Sequence, residues 1–173
     1  LDGLNGLDRE LTRERERITS IRGKPQFISD IRRAIGYGGM VHDFKNFVLR
    51  HDHALLKSIE TDLTAATSAV NGYAALGVND AEQRALAGIR STLAAYGSAA
   101  TIAEQLADTG SRAVEIDRAV RVDDGPALRG LESLSREIIA ASDASARRVS
   151  ESLGLVAGVA VSAAWITAAL VLL

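Results

Sequence analysis

Cysteine is absent from the 173 residues. That excludes disulfides, thiolate metal ligands and cysteine nucleophiles, and it leaves the redox compartment open. Proline occurs only twice, which suits long uninterrupted helices. Aromatic residues make up 4% of the chain while alanine is abundant, so helices packed through small side chains are favoured over a sheet core. No charge of one sign dominates: 20 Lys and Arg stand against 22 Asp and Glu, a net charge of −2. The basic footprint of a nucleic-acid binder is missing. The run "RELTRERER" at 9–17 mixes signs in the manner of a solvated helix. Strand alternation and internal repeats are missing as well. So are the nucleophile elbow, the phosphate loop and the metalloprotease helix motif, and no enzyme is expected.

Helical periodicity is what the chain has in quantity. Leu56, Ile59, Leu63, Ala66, Val70 and Tyr73 recur at alternating steps of three and four, as do Leu86, Ile89, Leu93, Tyr96, Ala100, Ala103 and Ala107. Leu131, Leu134, Ile138, Ala141 and Ser145 continue the pattern. This is the seam of helix-on-helix packing. Four helical stretches follow. The first spans about 4–50 with a kink or break at "GKP" (23–25), and the second spans about 53–76. The third is capped by Asn79 or Asp80 and runs to about 120, weakened near Gly97 and Gly110. The fourth is capped by Asp123 or Asp124, with Pro126 in its first turn. The expected fold is all-α: an antiparallel up-down four-helix bundle with long helices. Its turns near 51 and 123 would share one end.

The last 21 residues, 153–173, carry no charge. At ~1.5 Å per residue such a helix spans ~30 Å, the thickness of a bilayer core, so the last helix is expected to continue into a transmembrane helix. Gly154, Gly158 and Ser162 form a small-residue stripe suited to packing two such helices as a homodimer; the alternative is ordinary alanine-rich composition. The chain divides into a charged membrane-proximal connector (1–24), a helical-bundle domain (25–152) and the span (153–173). It begins at Leu1 without methionine and stops at the span, which reads as one piece of a longer protein with an earlier span removed.

The segment "IGYGGMVHDFKN" (35–46) puts three glycines within four positions of a helix. On a continuous helix Ile28, Ile31, Ile35, Gly38, His42, Lys45 and Leu49 form one stripe, and Ala34, Tyr37, Val41, Phe44 and Val48 the next. One reading is a pocket. Glycines admit a ligand to the backbone, and Tyr37, His42, Lys45 and Asn46 supply polar groups, with Gly38 and Gly39 in the wall. The other is a tight helix crossing, with His42 and Asn46 hydrogen-bonded across the core.

"GYGGMVHDFKNFVLR" (36–50), with "RVDDGPAL" (121–128) downstream, resembles the extracytoplasmic helical-bundle sensor domains of bacterial transmembrane receptors. Those domains stand upstream of chemotaxis-type, histidine kinase or diguanylate cyclase output modules. The resemblance covers roughly 25–135. It implies a ligand- or partner-sensing input module that transmits a shift of its last helix. It also implies a bacterial inner-membrane location with a periplasmic bundle, and a dimeric habit. It supplies no ligand, but suggests that Gly36, Tyr37, Gly38, Gly39, His42, Lys45 and Asn46 act as a unit. Arg147 and Arg148 pull the other way, since positive charge before a span favours the cytoplasmic side. Expected partners are membrane lipid, a second copy, and a small ligand or periplasmic protein. No cofactor is expected. His51 and His53 with Asp123 and Asp124 could hold a divalent metal at the distal tip, although a polar turn and an aspartate cap need the same residue types. The competing class is a membrane-anchored helical interaction protein without a pocket.

Overall fold

The computed structural model describes residues 2–36 and 38–171, with side chains described over 18–148 apart from Tyr37 and at scattered positions beyond. All regular structure among them is helical: α1 (Asp2–Ile35), α2 (Met40–Arg50), α3 (Ala54–Ala75), α4 (Asp80–Asp108), α5 (Ala113–Ala119) and α6 (Gly125–Val171). They fall into two compact units, Leu1–Ile138 and Ile139–Leu173.

In the first unit, helices α1 to α5 pack together. α3 sits against α1, α2 and α4, and α5 covers α2 and α4. The expected seams supply the core. Ile59, Ala66, Val70 and Tyr73 of α3 are buried, as are Leu86, Ile89, Leu93, Tyr96 and Ala103 of α4. Leu131 and Leu134 of α6 are buried too. Each large side chain buried this way contributes about 1.5–3 kcal/mol. Contacts recede from the α3–α4 turn in step on both helices. Tyr73 bonds Glu82, Asn71 bonds Arg90, and Leu63 lies beside Gly97. α6 approaches α4 closely at two glycines: a Cβ on Gly88 would come 3.0 Å from the Pro126 carbonyl oxygen, and one on Gly130 2.6 Å from that of Ala85.

The break expected at 23–25 is not there. Pro25 lies inside α1. An interior proline costs ~3 kcal/mol in an isolated helix, but tertiary contacts hold the chain on both sides of this one. Lys24 is bonded to Glu82, and Ile28 and Ile31 are buried. The interruption falls at 36–39 instead, between α1 and α2. Gly38 has φ +87°, a left-handed conformation that side chains avoid. Gly39 packs so tightly on the end of α1 that a Cβ would lie 2.5 Å from the Ala34 carbonyl oxygen. The expected weak point near Gly110 separates α4 from α5, whereas α4 runs straight through Gly97. Asn79 caps α4 in a reciprocal box with Glu82. At the start of α6, the Gly125 N–H donates to the Asp123 carboxylate, and Pro126 occupies the first turn.

The second unit is the remainder of α6. There the Arg148 guanidinium and the Ser150 hydroxyl donate to carbonyls one turn back. The transmembrane expectation is corrected here: among the described residues no helix is long and apolar enough to cross a membrane. The described part of α6 is too polar for that, with Arg129, Glu132, Arg136, Glu137, Asp143, Arg147 and Arg148 along it. The apolar run 153–173, with the proposed packing stripe Gly154, Gly158 and Ser162, lies outside the residues whose side chains are described.

Candidate functional site

A pocket of about 330 Å³ opens between the end of α1, α2 and the first turns of α6. Ile35, Val41, Ala127, Leu128 and Leu131 make an aliphatic wall, Gly36 leaves room, and His42, Lys45 and Asp124 are its polar groups. The register of α2 sets this arrangement. Met40, Phe44, Phe47 and Val48 are buried, which leaves Val41, His42 and Lys45 along the edge that faces the start of α6. Asp124 is fixed from the other side. Its Oδ1 accepts a hydrogen bond from the Tyr96 hydroxyl at 2.7 Å, and the Tyr96 ring stands edge-on to Phe44 at 5.3 Å. Burial, and then the bond to Asp124, push the Tyr96 phenol well above its ordinary pKa, so it stays protonated and donating. Lys45 is exposed and has neither an ion pair nor a hydrogen bond among the described residues.

Lys45 and Asp124 also line a second pocket of about 410 Å³, shared by α2, Tyr96 of α4, and the segment from Asp117 to Val122. A third and wider groove, about 650 Å³, lies between α1 and α3. It holds Gly38 and Gly39 with Asp30, Arg33 and Asp62. Arg33 and Asp30 form a 2.6 Å ion pair there. Burial, then the nearby Asp43 charge, raise the Asp62 carboxyl above its usual value.

The expected site residues are therefore divided. His42 and Lys45 line the α2–α6 pocket together with Gly36. Gly38 and Gly39 turn to the groove on the α3 side. Asn46 is half-buried and lines none of these three cavities, and Tyr37 lies outside the described residues. The break between α1 and α2 ends the continuous helix on which the two stripes were drawn.

The distal-tip residues do not gather either. His53 points its Nε2 to Asp108, 3.4 Å away, on the last turn of α4, and its ring stands edge-on to Phe47. His51 closes α2 in a left-handed conformation, its Nε2 buried without a partner. Asp123 binds the Gly125 N–H and Asp124 binds Tyr96. Among the described residues no three His, Cys, Asp or Glu side chains are grouped to hold a metal ion.

Sequence reasoning missed a buried ionic cluster. Lys24 of α1 donates to both Glu82 oxygens, at 2.7 and 2.9 Å, and lies over the Tyr73 ring, 5.1 Å from its centroid. The Tyr73 hydroxyl donates to Glu82 at 2.6 Å, and the Asn79 N–H at 2.9 Å. Burial alone would raise the Glu82 carboxyl; the bonds from Lys24, Tyr73 and Asn79 outweigh it and hold the group below its ordinary value. Only Asn79 was singled out beforehand, as one of two candidate caps. Compared with known proteins, no family model matches the chain, and no curated protein or solved structure is significantly similar to it.

Proposed function

We propose that the chain is a ligand- or partner-sensing input module of a signalling receptor, an up-down bundle of four long helical segments in which α6 is the output element. The in-step contacts of α3 and α4 on either side of the short turn at 76–79 support that topology. One observation carries the functional reading: the aliphatic pocket is walled jointly by α2 and by the first turns of α6. An occupant touches both. Its binding free energy therefore depends on their spacing, and by the same linkage its presence biases that spacing. An occupant indifferent to the spacing would transmit nothing. At the α4–α6 crossing Gly88 and Gly130 bring the two backbones close, with Ile89 of α4 seated against Gly130, so a shift of α6 is felt directly by α4.

The test is a thermal-shift panel of small metabolites on the 173-residue chain and on Leu128→Trp. Leu128 is 63% exposed at the pocket wall, so the indole can cover the opening without entering the core. A ligand at a hundred times its Kd adds about 2.7 kcal/mol, a rise of about 5–10 °C for a chain of this size. At least one ligand class should raise the melting temperature of the native chain and leave the variant unmoved. Flat curves across the panel in both proteins would rule the reading out.

A further inference from the structure

The α2–α6 pocket carries information about the chemistry of its occupant. Its volume, about 330 Å³, holds about eleven groups of water size. That suits one compact metabolite. The wall is aliphatic over Ile35, Val41, Ala127, Leu128 and Leu131. A polar ligand body would lose its water against those five side chains and find no hydrogen-bond partner among them.

Two opposite charges face the same space. Lys45 is a cation without a partner among the described residues. Asp124 has one carboxylate oxygen occupied by the Tyr96 hydroxyl and none of the described donors on the other. A neutral apolar ligand would take water from the half-buried Asp124 carboxylate and compensate neither charge. A simple carboxylate would suit Lys45 but meet the Asp124 charge; a simple amine would suit Asp124 but meet Lys45. A ligand that carries both an anion and a cation compensates both.

We infer that this pocket binds a free α-amino acid with an apolar side chain, its carboxylate at Lys45, its ammonium at the open oxygen of Asp124, and its side chain against Val41, Leu128 and Leu131. The inference rests on the sensing reading of the same pocket. It gives that reading a physical route as well. The ligand ammonium meets the residue that immediately precedes α6, and Asp124 is tied through Tyr96 to Phe44 of α2.

The test is calorimetric titration of the 173-residue chain with L-leucine, with isopentylamine (leucine without its carboxylate), with 4-methylpentanoate (leucine without its ammonium) and with L-aspartate. L-Leucine should bind, and each of the other three should bind at least tenfold more weakly. Lys45→Met and Asp124→Asn should each weaken L-leucine at least tenfold. Lys45 is exposed, and asparagine keeps an acceptor for Tyr96, so both variants should melt within a few degrees of the native chain. Two results overturn the inference while the sensing reading stands. One is a single-charge analogue that binds as tightly as L-leucine. The other is a metabolite of another class that raises the melting temperature while L-leucine gives no heat. An L-leucine affinity unchanged in Lys45→Met also overturns it. No heat from any probe, together with a flat metabolite panel, overturns both.

Discussion

At the scale of single residues, the Lys24–Glu82–Tyr73 cluster is the feature with the largest energetic consequence. Two opposite charges sit at 10% and 5% side-chain exposure, each compensated by the other. Such a pair adds little relative to a well-packed apolar one, but removing one partner strands the other at a cost of about 3–5 kcal/mol. Glu82→Gln keeps one acceptor oxygen, enough for Tyr73 or for Asn79 but not for both, and leaves Lys24 charged and unpaired, so the melting temperature should fall by roughly 10 °C. Adding Lys24→Met removes the stranded charge and should restore much of the loss. Acid dependence follows from the same residue. The folded-state pKa of Glu82 is below its ordinary 4.5, so the unfolded chain takes up this proton first as pH falls. The stabilisation is complete at neutral pH, fades below about the ordinary carboxylate value, and is gone once pH passes under the folded value. Melting temperatures of the native chain measured downward from pH 6 should fall more steeply than those of Glu82→Gln. Parallel curves would show that the pair does not couple to folding.

At the scale of elements, the break between α1 and α2 decides which residues can form a site, and its glycines act by different physics. Gly38 holds φ +87° with nothing within reach of an added Cβ, so Gly38→Ala meets only a backbone penalty of about 1 kcal/mol. Gly39 has an extended φ of −113°, but its Cβ would lie 2.5 and 2.7 Å from the Ala34 and Arg33 carbonyl oxygens. Gly39→Ala must push α2 away from the end of α1, at a cost of about 2 kcal/mol or more. Urea midpoints should therefore rank native above Gly38→Ala above Gly39→Ala; the reverse order would mean that the tight approach is not maintained in solution. The seams of α3 and α4 were legible in the sequence because helical period is a local signal. Ile59, Val70, Tyr73, Leu86, Ile89 and Leu93 are buried as their spacing requires. The position of the break was not legible. Local rules put it at Pro25, where contacts from a distant helix hold α1 together, and treated 36–39 as part of a continuous stripe. His42 and Lys45 line a cavity together with Asp124, which lies 79 positions beyond Lys45 and was read as a cap or a metal ligand. Lys24 and Glu82, 58 positions apart, were invisible for the same reason: no periodicity links side chains that meet only after the chain folds back.

At the scale of the whole molecule, the distribution of burial separates what holds the fold from what extends beyond it. Every buried hydrophobic among the described residues lies between Ile28 and Leu134, and the compact unit that contains them ends at Ile138. Further along α6, Ile139 is 62% exposed, and residues 142, 143, 146, 147, 148 and 150 are exposed as well. Ending the chain after Ser150 therefore removes no described core residue. The change should stay within the range of surface substitutions, about 0.5 kcal/mol, and the melting temperature should move by only about 2 °C. Ending it before Gly130 removes the close approach of Gly130 to α4 together with Leu131 and Leu134, and should abolish cooperative melting. The 1–150 chain also separates binding from transmission, because the pocket runs only from Ile35 to Leu131. It should bind L-leucine with the affinity of the 173-residue chain, and lose only whatever the rest of α6 passes on. Circular dichroism melts and one titration decide the matter. A 1–150 chain that melts without a cooperative transition would mean that the first unit depends on residues beyond its own core.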